Sequence, residues 1–187
     1  MDNTMALLLS DTYKQCHDRM YPKGLTKLVS YWVPRKSMLE NQKEMVFFGL
    51  QAFIKEYLMG YFQKNFFDLS EDEMLSLYTG SMDVQIGRDN YDLEKIVELH
   101  RLGYLPLEIR ALPEGTLVPM GVPCIEITNT DDKFAWLVQW IECILQVELW
   151  KSCCHATIGH MYREIADYWY DKTTDGLPGN CLLYTSP

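Results

Sequence analysis

Hydrophobic residues recur at helical spacing in several stretches of the chain and at every second position in one. Between Met45 and Phe62, Phe47, Leu50, Phe53, Ile54, Tyr57 and Leu58 fall on one side of a 3.6-residue period, which predicts a helix across that span. "LSEDEM" follows as a helix start, with Ser70 and Glu73 spaced as a capping box and Leu69 placed to staple onto Met74. Leu93, Ile96, Val97 and His100 line one side of another helix that begins near Asp92 and stops before Gly103. From Tyr104 the period drops to two. Leu105, Leu107, Ile109 and Ala111 alternate with Glu108 and Arg110, and "PEG" and "PMG" turns divide further short strands up to Thr128. "TNTDDKFAWLVQWIECILQVELW" restarts a helix with its acids first, and His155 to Tyr170 forms a last one, with Ile158, Met161, Tyr162, Ile165 and Trp169 in register.

Nearer the start, "KLVSYWV" (Lys27 to Val33) is β-branched and aromatic and reads as a strand ended by Pro34. Asp11 is placed to cap a short helix that "YPKG" stops. Leu39 to Glu44 and Gly80 to Asp89 read as loops. Helices and short strands thus alternate without regular βαβ units. The fold class expected is α+β.

Composition narrows the partners. A formal charge of −9 over 187 residues argues against nucleic acid, which needs clustered cations. A phosphate ligand needs only two or three local cations and stays open. No stretch approaches the length of a membrane span, and six cysteines without an export signal read as cytosolic thiols, so a cytoplasmic location is expected. "CCHATIGH" (Cys153 to His160) carries metal-ligating side chain types, but adjacent cysteines point apart and His155 and His160 fall on different helical faces, so packing is the better reading. Asp131 and Asp132 lack a following glycine-rich turn and read as helix-capping acids rather than a phosphate loop. Trp136, Trp140, Trp150 and Trp169 read as core or subunit interface. Arg35 and Lys36 form either a solvated strand end or a cation held where ligands gather, and residue chemistry leaves both open.

In order along the chain, "SDTYKQCHDRMYP", "SYWVPR", "VFFGLQAFIKEYL", "LPLEIRALPEGTLVPMG", "ITNTDD" and "WLVQWIECIL" with a following "YRE" resemble the N-terminal part of the nicotinamide phosphoribosyltransferase family, from about Leu7 to Leu177. The related nicotinate phosphoribosyltransferases share the early Asp-x-Tyr and the Pro-Glu-Gly turn but match the middle segments less well. The resemblance implies a pentosyl transfer in which nicotinamide and 5-phosphoribosyl 1-pyrophosphate give nicotinamide mononucleotide and pyrophosphate. It implies Mg2+ accompanying the donor, allows ATP as an activator of the full-length enzyme, and implies a homodimer with active sites shared across the interface.

Carried over by motif, Tyr13 would stack on nicotinamide bound by the other subunit, with Asp11 at the polar end of that pocket. Arg35 would reach across toward substrate phosphate. Thr12 departs from the family's serine, and Pro34 sits where the family varies. The family's remaining substrate-binding and catalytic groups lie downstream, on a (β/α) barrel this chain barely begins. Residues 1–178 are therefore expected to be the N-terminal α+β portion, and 179–187, ending in "CLLYTSP", a non-native tail. The chain alone is expected to be inactive and to expose apolar surface that the barrel would cover. A naturally short, non-catalytic partner of a complete subunit is the alternative.

Overall fold

The computed structural model describes residues 4–88 and 90–174; the expected tail from residue 179 lies outside them. The chain opens with 3-10 turns at Ala6–Leu8 and Thr12–Met20, followed by strands β1 (Val29–Trp32) and β2 (Glu44–Val46). Helix α1 (Leu50–Phe53) runs on into π-helical winding at Ile54–Tyr61 and Gln63–Phe67. Then come α2 (Glu71–Gln85), α3 (Glu94–Leu102), β3 (Leu107–Ala111), β4 (Leu117–Pro119) and β5 (Ile125–Asn129). A 3-10 turn at Asp132–Phe134 leads to α4 (Leu137–Trp140) and α5 (Glu142–Thr173). Among the described residues this is an α+β arrangement without a barrel.

Two small antiparallel sheets organise it. β5 is central in the order β1-β5-β3, with Trp32 opposite Ile125 on one side and Ile109 opposite Ile127 on the other. β2 pairs with β4, Met45 facing Val118. One apolar cluster joins these sheets to α1 and the first half of α5 through Trp32, Phe47, Phe53, Ile127, Leu145 and Leu149. A second gathers α2, α3 and α4 around Phe66, Met74, Tyr78, Ile96, Leu99 and Trp140, with Leu7 from the chain's start. Leu58, Tyr61 and Leu107 pack against both.

The capping box at α2 forms as its spacing predicts. The Ser70 hydroxyl accepts from the Glu73 amide while the Glu73 carboxylate accepts from the Ser70 amide. Leu69 joins the cluster that holds Met74. Gly103 ends α3 in the left-handed region at φ 78°, and Asp131 caps the turn after β5 by accepting from the Lys133 amide.

Four expectations are corrected. The helix expected from Met45 starts only at Leu50, because Met45 and Val46 pair with β4 and Gly49, at φ 100°, breaks the chain direction between them. Gly49 also lies so close to α5 that a Cβ there would sit 2.5 Å from the Ser152 Cβ. α2 continues through Gly80 to Gln85, since Tyr78 and Met82 stay on its buried face; the loop expected from Gly80 shrinks accordingly. The two helices expected around Trp150 and His155 are one, α5, because no glycine, proline or cap interrupts residues 142–158. Asp11 holds the cap position before Thr12–Met20 without a side-chain cap bond.

Along α5 the same apolar period meets two fates. Leu145, Leu149 and Cys153 are buried, whereas Ile158, Tyr162, Ile165 and Trp169, equally in register, are exposed. The second half of α5 thus carries an exposed apolar row.

Candidate functional site

The nine residues from Thr12 to Met20 wind as a 3-10 helix, longer than the three or four residues such winding usually sustains. Its two buried side chains, Lys14 and Gln15, are polar, so discrete partners rather than an apolar stripe hold it. The Lys14 ammonium pairs with Glu142. Burial opposes charge on Lys14, but the Glu142 carboxylate prevails and holds its pKa above the usual value. The Gln15 amide oxygen accepts from the Tyr78 hydroxyl at 2.9 Å, and Asp18 accepts from Lys95 at 2.8 Å. Thr12 donates to Gln85, and just beyond the helix Tyr21 donates to Gln139 at 2.7 Å.

This scaffold leaves Tyr13 outside. Its ring is 60% exposed and touches its own chain through an edge contact with His17, centroids 5.8 Å apart, and through the Lys14 ammonium 5.4 Å from its face. Asp11 is also exposed. Its amide donates to the Cys143 sulfur at 3.2 Å, and burial followed by the nearby Asp11 carboxylate pushes the Cys143 thiol up.

On the other side of Glu142 a cleft of about 800 Å3 opens between the end of β1 and the α4–α5 face. Arg35 and Lys36 stand at it, both exposed. Pro34 is buried beneath them and its carbonyl accepts from the Gly121 amide at 2.7 Å, which anchors the strand end that carries both cations. Gln139 and Gln146 line the cleft from the helices. Their carbonyl oxygens are engaged, by the Tyr21 hydroxyl and by the Trp32 indole N–H at 2.9 Å. With those oxygens committed, the NH2 groups remain as donors. Two cations and two such donors suit an anion, and the one carboxylate lining the cleft, Glu142, is offset by Lys14.

The structure thus separates the three expected site residues into two places, bridged by the Lys14–Glu142 pair and the Tyr21–Gln139 hydrogen bond. Arg35 is in the cleft; Asp11 and Tyr13 are not, and Lys14, next to Tyr13, reaches Glu142 on the cleft wall. Sequence reasoning missed Lys14, Gln139, Glu142 and Gln146. The last three recur at helical spacing within an otherwise apolar segment, and that polar stripe was the available signal. A buried lysine beside an exposed tyrosine leaves no such trace.

In the cysteine-histidine run the environments differ: Cys153 is buried, Cys154 and His160 are half-buried and His155 is exposed. Cys153 is buried and its thiol, 3.3 Å from the Phe48 carbonyl, is pushed up to about 11 by burial. Cys154 turns to a different environment, and His160 faces Glu164 along α5. Trp136 and Trp140 make an edge contact in the core, with centroids 4.9 Å apart, while Trp150 and Trp169 are at the surface. Among the described residues no group of three or more His, Cys, Asp or Glu side chains is placed to hold a metal ion, and no helix is long and apolar enough to cross a membrane.

Comparison with known proteins gives a consistent result. Residues 5–109 match the sequence family described as nicotinamide phosphoribosyltransferase, N-terminal domain. The chain is 40% identical over 168 residues to nicotinamide phosphoribosyltransferase of Acinetobacter baylyi, covering 87% of this chain and 33% of that protein. It is 30% identical over 175 residues to the protein of the same name from Xanthomonas campestris pv. campestris, covering 92% of this chain and 34% of the relative. The chain therefore spans about a third of the length of these curated relatives. In fold it is similar to the crystal structure of human nicotinic acid phosphoribosyltransferase, with a TM-score of 0.61 at 21% identity, over 84% of this chain and 28% of that one.

Proposed function

This chain belongs to the nicotinamide phosphoribosyltransferase family, and from that premise we propose that it is the N-terminal portion of an enzyme that transfers a phosphoribosyl group to nicotinamide. The observation that carries the reading is the family match over residues 5–109, which contains the segments bearing Asp11, Tyr13 and Arg35. In the reaction the pyridine nitrogen of nicotinamide bonds to the anomeric carbon of 5-phosphoribosyl 1-pyrophosphate as the bond from that carbon to the pyrophosphate oxygen breaks. The enzyme works as a homodimer in the cytoplasm.

Within it this chain binds and orients. The outward-facing Tyr13 ring offers a flat apolar surface on which the pyridine of the partner subunit's site stacks, and Asp11 marks the polar end of that slot. Arg35, supported by Lys36 and the oriented amides of Gln139 and Gln146, takes substrate phosphate. The described side chains do not by themselves form a magnesium cage. The ion, which would neutralise charge on the leaving pyrophosphate, would come with the donor. The catalytic groups belong to the portion of the enzyme outside this chain.

The fold likeness to a nicotinic acid enzyme, at 21% identity, does not choose between the two pyridines; the names of the curated relatives support nicotinamide. Pyrophosphate release by the full-length enzyme, assayed with each base, decides. Turnover with nicotinamide is expected, and turnover with nicotinate alone would transfer the assignment to the nicotinate enzymes. Arg35→Ala should raise the Michaelis constant for the phosphoribosyl donor more than that for nicotinamide, and the reverse order would remove Arg35 from the phosphate site.

A further inference from the structure

We propose that Lys95 is a positioning residue for the base-binding end of the site: it fixes the 3-10 helix that presents Tyr13, without touching substrate itself. The proposal rests on the stacking role given to Tyr13 above.

Lys95 lies on α3 beside Ile96, on the face that enters the second apolar cluster, and is 8% exposed. Burial pulls its pKa down, and the Asp18 carboxylate opposes that pull. A lysine is seldom buried unless it is paired, and the pairing here is unusually convergent. Its ammonium is 2.8 Å from an Asp18 carboxylate oxygen and 3.3 Å from the Gln15 carbonyl. It also lies 5.2 and 5.3 Å from the Trp136 and Trp140 ring centroids.

Two of these four partners belong to the Thr12–Met20 helix and two to the segment that enters α4. One cation therefore spans the helix carrying Tyr13 and the α4 segment carrying Gln139, which lines the cleft, alongside the Lys14–Glu142 pair and the Tyr21–Gln139 bond. The 3-10 winding supplies little rigidity of its own, and its other buried contacts are single hydrogen bonds or one ion pair. The second Asp18 oxygen is buried without a hydrogen-bond partner, so loss of the lysine leaves that carboxylate with nothing to hold it in place. Asp18 and Gln15 follow Tyr13 by five and two residues, so their movement carries the tyrosine with them.

The test uses the full-length enzyme and a double-mutant cycle. Lys95→Met should raise the Michaelis constant for nicotinamide about fivefold, no more than removal of the Tyr13 ring itself, while kcat stays within about twofold. Asp18→Asn should act in the same direction by about threefold, and it decides the matter if Lys95→Met does not fold. Lys95→Arg, which keeps the cation, should recover most of the loss. In a Tyr13→Ala background neither change should raise the constant further, because both act through that ring. A fall in melting temperature or active fraction with unchanged nicotinamide constant, or effects that multiply with Tyr13→Ala, would overturn the positioning role while leaving the Tyr13 reading intact. Tyr13→Ala without effect on that constant overturns the reading of Tyr13, and this inference with it.

Discussion

Two segments of equal length, Thr12–Met20 and Glu94–Leu102, meet through Lys95 and Asp18 and are held in place by opposite means. Glu94–Leu102 is an α-helix that buries Ile96 and Leu99 completely and ends on a left-handed glycine. Thr12–Met20 is a 3-10 helix whose buried side chains are a lysine paired with Glu142 and a glutamine bonded to the Tyr78 hydroxyl and the Leu7 carbonyl. The first is fixed by area, which is forgiving of small shifts; the second by directional contacts, which are not. A segment that must hold one exposed aromatic ring at a defined position gains from the second arrangement. α2 lies against both, offering Met74 and Met82 to the shared core and Tyr78 and Gln85 to the polar contacts.

The contrast can be broken at either end. Leu99→Ala opens a cavity in the second cluster and should cost about 2–5 kcal/mol in denaturant unfolding, with α3 and α2 losing hydrogen-exchange protection together. Tyr78→Phe should cost about 1–3 kcal/mol, because it strips the partner from the buried Gln15 oxygen. Its signature should be selective: faster amide exchange between Thr12 and Met20, with α3 little changed. Uniform loosening of both segments would show that the 3-10 helix is not held by discrete contacts. Ser70→Ala at the start of α2 should cost about 1 kcal/mol. It also carries a pH signature. The Ser70 hydroxyl and then its amide hold the Glu73 carboxyl below the usual glutamate range. That contribution is complete above the ordinary value near pH 4.3, and fades as pH falls through the lowered one; Ser70→Ala should flatten this part of the acid profile. Thr12→Ala, at an exposed contact with Gln85, should change stability by less than about 0.5 kcal/mol.

The same contrast explains what could be read in advance. α3, the Ser70–Glu73 box, the alternating strand at Leu107–Ala111 and the turns at Gly115 and Gly121 follow from period and local chemistry, and the structure has them. Phe47 and Leu50 continue a 3.6-residue pattern that draws Met45 and Val46 into a helix; only their partner strand at Leu117–Pro119, some seventy residues on, makes them a strand. The full length of α5 does not show in its apolar period, because its apolar residues change surroundings midway, from the sheet side to open surface. Family motifs point to Asp11, Tyr13 and Arg35, and of these the structure places Arg35 at the cleft. Glu142, Gln139 and Lys95 were not legible in the sequence, because their significance lies in contacts 118 to 128 residues away for two of them and 80 for the third.

The role proposed for Tyr13 is to face outward and serve a pyridine ring rather than pack at home. Steady-state kinetics of the full-length Tyr13→Ala enzyme against wild type, with nicotinamide as the varied substrate, address this directly. A stacking Tyr13 predicts a Michaelis constant for nicotinamide raised about five- to tenfold, the loss of one aromatic stacking contact, with Tyr13→Phe close to wild type. A Tyr13→Ala enzyme with wild-type nicotinamide kinetics would contradict it.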